Sequence, residues 1–67
     1  MKVTNRLWYV KSIVKNYSQE YLSEVSGISR YTISEIELSK RIPKLETALL
    51  LARALDCRVE DIFTLNE

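Results

Sequence analysis

The chain has 67 residues, 46% hydrophobic and 28% charged, with one Gly, one Pro, one Cys and no His; this length holds one small domain, taken as residues 1–67. Lacking His, it has neither the usual general base nor the commonest metal ligand, and Cys57 alone completes no thiolate metal site or internal disulfide; no enzyme, cofactor, metal or small-molecule ligand is therefore expected. The apolar residues fall in short groups cut by charges, as Leu49-Leu50-Leu51-Ala52 is at Arg53, far from the ~18–20 that span a bilayer, and no charged-then-apolar leader opens the chain, so a soluble cytoplasmic protein without membrane contact is expected.

Net charge is +1, unevenly placed. Residues up to Lys44 carry a net +4 and those from Leu45 onward a net −3, an asymmetry that fits one front facing a polyanion and an uninvolved back. A core this small supplies little net stability without a disulfide or metal, so tight helix packing or dimerisation is expected to help.

Leu7, Val10 and Val14 recur at helical spacing, with Ile13 beside them and Arg6, Lys11 and Lys15 on other faces. This predicts a first helix over about Asn5–Asn16, capped by Thr4 or Asn5. Ser18 is placed to cap a second helix, without the acidic or amide partner of a full capping box; Leu22 and Val25 form its apolar stripe. Gly27 ends it, because glycine alone enters the left-handed conformation without steric cost. Ser29 caps a third helix with Ile33 and Ile36 inward and Arg30, Tyr31, Ser34 and Glu35 largely outside.

Leu38–Lys44 is basic, aperiodic and contains Pro43, so it reads as a loop. Leu45, Leu49, Ala52 and Leu55, with Ala48 and Leu51 alongside, predict the most apolar helix and the centre of the core, from about Leu45 to Leu55 or Asp56. Val59, Ile62 and Phe63 suggest a last short helix. Met1–Val3 and Thr64–Asn66 are candidates for a two-stranded terminal ribbon.

Two short helices joined by a tight turn with glycine, the second presenting polar side chains beside its N-cap, form a helix-turn-helix candidate. In that motif the first helix crosses the DNA backbone and the second enters the major groove. Leu22, Val25, Ile28, Ile33 and Ile36 are the residues expected to lock the pair together.

The runs Ser18-Gln19-Glu20-Tyr21-Leu22-Ser23, Gly27-Ile28-Ser29-Arg30-Tyr31-Thr32-Ile33, Lys40-Arg41-Ile42-Pro43 and Ala52-Arg53-Ala54-Leu55-Asp56 resemble the phage Cro/cI repressor-type (XRE family) helix-turn-helix. The resemblance covers about Asn5 to Phe63. It implies an all-α, five-helix, lambda-repressor-like domain, here with a short terminal β-ribbon, that binds double-stranded DNA operators, usually as a homodimer.

It further implies roles for individual residues. Arg30 and Tyr31 match the first base-reading positions: Arg grips guanine O6 and N7 with two hydrogen bonds, and Tyr31 packs on a thymine methyl or bonds a phosphate. Ser34 and Glu35 lie one turn on; Glu35 is either an acceptor from cytosine N4 or a surface charge orienting Arg30. Gln19, at the start of helix two, is placed against a phosphate and the recognition face, or is merely a solvated first-turn residue; Ser18 caps that helix, whose free N–H groups also attract phosphate, and Ser29 and Thr32 offer hydroxyls to the backbone while Ser29 also caps its helix. Lys40, Arg41 and Lys44 would follow the phosphates, or form a merely solvated basic loop. Lys11 and Glu37 occupy the positions of the family's structural ion pair between helices one and three.

Three departures from the family pattern stand out. Leu38-Ser39 replaces the Gly common two residues after Glu37, Ser23 replaces a frequent Ala and needs a hydrogen-bond partner if buried, and the segment between Lys11 and Ser18 is one residue longer than usual. The dispersed Trp8, Tyr9, Tyr17 and Tyr21 fit packing better than single-strand base stacking. Cys57 is expected as a small buried hydrophobe. The functional expectation is a repressor occluding a promoter from a palindromic operator; the rival from another class is a protein-interaction module, such as the antitoxin of a toxin–antitoxin pair.

Overall fold

The computed structural model describes residues 2–66. In chain order it contains β1 (Lys2–Asn5), α1 (Leu7–Tyr9) continuing directly into a π-helical turn (Val10–Val14), α2 (Gln19–Ser26), α3 (Arg30–Glu37), α4 (Leu45–Ala54), α5 (Val59–Ile62) and β2 (Phe63–Asn66). It is the expected five-helix fold with a terminal ribbon. The strands pair antiparallel, with Val3 opposite Leu65 and Asn5 opposite Phe63. The expected strand Met1–Val3 runs instead from Lys2 to Asn5, and Met1 lies outside the described residues.

The first helix departs from the regular one predicted over Asn5–Asn16. Asn5 ends β1, and its side chain makes two connections: Oδ1 accepts from the Leu7 N–H at 2.8 Å and Nδ2 donates to the Ile36 carbonyl at the end of α3. The amide thereby satisfies an orphan donor of the starting helix and straps the ribbon to the end of α3. Further on, the Lys15 N–H donates to the Val10 carbonyl five residues back and the Tyr17 N–H to the Lys11 carbonyl. Such a widened turn accommodates one extra residue, which is where the longer Lys11–Ser18 segment goes. The widening also changes which side chains face the core: Leu7 and Val10 are buried, but Ile13 and Val14, expected inside, are exposed. Lys11, expected outside, is 6% exposed.

Local chemistry sets the other boundaries. Ser18 Oγ accepts from the Tyr21 N–H at 3.0 Å, Ser29 Oγ accepts from the Thr32 N–H at 3.1 Å, and Gly27 ends α2 at φ 77°. At the end of α3 the Lys40 N–H reaches the Glu35 carbonyl and the Ser39 N–H the Ile36 carbonyl, the paired bonds of a Schellman motif. Its left-handed position is held by Ser39 at φ 59°. Asp56 at φ 53° plays the same part after α4, with Cys57 bonded back to Ala52.

The core comprises Leu7, Val10, Leu22, Ile33, Ile36, Leu51, Ala52, Leu55 and Ile62. Two predicted stripes are rotated. On α2, Val25 is exposed and Ser26 is buried; on α4, Leu45 and Leu49 are exposed and Thr47, Ala48, Leu51 and Ala52 are buried. These two helices pack on each other, with small residues buried on both and the bulkier Val25, Leu45 and Leu49 turned outward. Ser23, half-buried, satisfies its hydroxyl on the Ile28 carbonyl at 2.6 Å. Cys57 is half-buried against the core rather than fully inside.

Candidate nucleic-acid interface

The turn Gly27-Ile28-Ser29 joins α2 to α3, and the cap at Ser29 aims the first turn of α3 away from the core. Arg30 is exposed there and Tyr31 is 68% exposed. No carboxylate among the described residues lies within ion-pair distance of Arg30, so its five N–H donors are available. Ser34 and Glu35 follow, half-buried, one turn along. Leu22, Ile33 and Ile36 are fully buried beneath this surface and fix its pose.

The hydroxyls are arranged as donors. Ser18 oxygen is used in capping, which leaves its O–H hydrogen outward. The Ser29 hydroxyl donates to Thr32 Oγ1 at 3.0 Å, which orients Thr32 so that its own hydrogen remains to donate. Thr32, Arg41, Pro43, Lys44 and Thr47 line a shallow pocket of about 260 Å³ between α3 and the start of α4. Thr47, a buried hydroxyl in this pocket, is not among the residues expected from sequence; a threonine in the first turn of an apolar helix carries no signal of its own.

Beneath the face lies a polar network. Lys11 Nζ stands 2.7 Å from Glu37 Oε2, both side chains 7% exposed, and Gln19 Nε2 donates to Glu37 Oε1 at 2.9 Å. The Oε2 contact is ionic rather than a directed hydrogen bond. Gln19, expected against a phosphate, thus has part of its amide committed to the end of α3.

Glu35 is paired differently from the sequence expectation. Its Oε1 lies 2.9 Å from Arg41 Nη2, not on Arg30, because the reversal at Ser39 folds Lys40 and Arg41 back over the last turn of α3. A six-residue separation is no helical neighbour spacing, so only the left-handed turn makes this pair, and sequence reasoning reaches no further than Arg30. Glu35 also engages Tyr31, one turn before it: by hydrogen bond and by charge it holds the phenol above its ordinary pKa, while Arg41 pulls the other way. Lys40 and Lys44 are exposed and outside ion-pair distance of the described carboxylates.

Residues 13–62, three quarters of the chain, match the protein family described as Helix-turn-helix. The chain is 41% identical over 51 residues to an uncharacterized HTH-type transcriptional regulator, YgzD, of Bacillus subtilis (strain 168), covering 76% of this chain and 77% of that one. The chain belongs to the XRE-type helix-turn-helix family. A second member, an uncharacterized HTH-type transcriptional regulator of Methanocaldococcus jannaschii, is 39% identical over 59 residues, 88% of each chain. Control protein C.SmaI of Serratia marcescens is 39% identical over 51 residues, 76% of this chain and 61% of that protein. Within the family frame, α2 and α3 are the helix-turn-helix, with Arg30 and Tyr31 exposed on the first turn of its second helix. No helix among the described residues is long and apolar enough to cross a membrane, and no group of three or more His, Cys, Asp or Glu among them could hold a metal ion.

Proposed function

We propose that this chain is a regulator of transcription that binds double-stranded DNA sequence-specifically, as a homodimer on a palindromic operator, and represses by occluding the promoter. The observation that carries the reading is the exposed first turn of α3: Arg30 and Tyr31 project beside the Ser29 cap, the place from which a recognition helix reaches base edges. Arg30 would read guanine, with Tyr31 and Ser34 beside it. The exposed cations Lys40 and Lys44, the hydroxyls of Ser18 and Thr32, the latter oriented by Ser29, and the N-terminal N–H groups of α2 and α4 would hold phosphates. Gln19, tethered to Glu37, would brace the reading face while its outer edge meets the backbone.

Homodimerisation is supported by apolar surface on the ribbon side. Val3 and Leu65, paired across the strands, line one pocket with Ile42, and the three are 38%, 64% and 71% exposed respectively, a contiguous apolar patch of the kind that marks an interaction surface. A homodimer on a palindrome would place its two α3 helices in successive major grooves ~34–36 Å apart.

Selection from a pool of random duplex DNA at near-physiological salt tests this. Recovery of an inverted repeat with half-site centres ~10 bp apart is expected. Retention of nothing, or of DNA without shared sequence, would overturn it in favour of a protein-interaction module.

A further inference from the structure

Glu35 lies on the proposed reading face, yet Arg41 already occupies it. Arg41 approaches from the exit loop at 2.9 Å, the two side chains 24% and 45% exposed for Glu35 and Arg41, and the carboxylate raises the pKa of the Tyr31 phenol one turn earlier on α3. Of the cations that follow α3, Lys40, Arg41 and Lys44, only Arg41 is in an ion pair among the described residues. On its way to a phosphate Arg41 must leave Glu35, and the carboxylate it abandons then faces a polyanion.

We propose that Glu35 is a positioning residue that suppresses sequence-independent DNA binding by competing with phosphate for Arg41. This inference rests on the DNA-binding reading. The competition has a direction. Where a base edge offers a donor to Glu35, such as cytosine N4, the carboxylate is compensated and Arg41 moves to the backbone without loss. Elsewhere Arg41 either stays on Glu35, forgoing a phosphate contact, or leaves a bare carboxylate against DNA. Both alternatives weaken the unwanted complex, which is discrimination by a built-in unfavourable element rather than by an added attractive one. The pair is partly exposed, so its effect is bounded by what exposed ion pairs supply.

The test is a double-mutant cycle with Glu35→Gln, Arg41→Gln and the double variant, measured on a random-sequence duplex over a range of salt. Glu35→Gln is expected to tighten this binding by up to about fivefold and to steepen the dependence of log K on log salt by about 0.9, the signature of one further phosphate neutralised. In the Arg41→Gln background the same change should lose most of that gain. An equal gain with and without Arg41 would mean that Glu35 acts only as a general negative charge, and would overturn the proposal; so would an unchanged salt slope. A readout without DNA separates this idea from the reading on which it rests. Ultraviolet titration, with Tyr31→Phe to assign the signal, should show the Tyr31 phenol ionising at lower pH in Glu35→Gln. If the parent chain binds no duplex but this change appears, the DNA-binding reading fails while the contact stands; if the phenol does not move, the arrangement of Glu35 itself is wrong.

Discussion

Lys11 Nζ and Glu37 Oε2 meet 2.7 Å apart with both side chains 7% exposed, joining the π turn of the first helix to the last residue of α3. A charge pair so far removed from water is sensitive to the loss of either partner, because the survivor is left uncompensated in a medium that solvates it poorly. Glu37→Gln is expected to lower unfolding stability by about 3 kcal/mol, a fall in Tm of more than about 12 °C for a chain of this size. Removing both charges with Lys11→Met and Glu37→Met should recover most of that loss. Thermal and urea unfolding of the three variants would check this, and a double variant no better than Glu37→Gln would show that the pair is not the source of the effect.

The reversal at Ser39 suggests a stabilising change. A serine at φ 59° keeps its Cβ close to a carbonyl oxygen, a cost that glycine avoids, and the unfolded chain's greater freedom with glycine offsets only part of the gain. Ser39→Gly should raise stability by about 0.5–1 kcal/mol without altering the Lys40 N–H to Glu35 carbonyl bond. Ser39→Val, whose branched side chain tolerates this region worst, should lower it; equal midpoints for the two in urea would contradict the account.

How much of this can be read from the sequence depends on the range of the forces involved. Ser18, Gly27 and Ser29 are legible because capping and left-handed turns are decided within a few residues, and the helix-turn-helix follows from them. Lys11 and Glu37 are placed by family resemblance, not by spacing. Val25, Leu45 and Leu49 are misplaced inward because periodicity alone allows either of two adjacent stripes; the packing of α2 on α4 and the burial of Ser26, Thr47 and Ala48 go with the other stripe. The Glu35–Arg41 pair is illegible for a related reason. It depends on the direction in which the chain leaves α3, set by a serine doing what glycine usually does.

The π turn has a visible trace in the sequence, a segment between Lys11 and Ser18 longer than the family's usual spacing. If it is an accommodated insertion, removing it should restore regular geometry: with Ile13 deleted, the bond from Lys15 N–H to the Val10 carbonyl closes a four-residue turn. Since Ile13 is exposed, no core contact is lost. The deletion is expected to change stability by no more than about 1 kcal/mol, whereas deleting Leu49 from α4 shifts Leu51, Ala52 and Leu55 out of the core and should abolish folding. Circular dichroism melts of both proteins distinguish a tolerated insertion from an integral part of the core.

Arg30 and the exposed lysines should fail differently when removed, because base contacts and phosphate contacts carry different information. Arg30 stands in the first turn of α3 without a carboxylate partner among the described residues, free to make a bidentate contact. Arg30→Ala should cost about 1–3 kcal/mol against the selected operator and relax preference at one base position. Lys44, at the pocket shared with Thr32 and Thr47, neutralises charge whatever the sequence. Lys44→Gln should therefore weaken binding to operator and random duplex alike, and flatten the salt dependence by about 0.9 in the log–log slope. Binding isotherms for both variants on both DNAs, at three or more salt concentrations, decide the matter. If Arg30→Ala weakens both DNAs equally with the slope reduced, Arg30 is a phosphate residue, and base reading must pass to Tyr31 and Ser34.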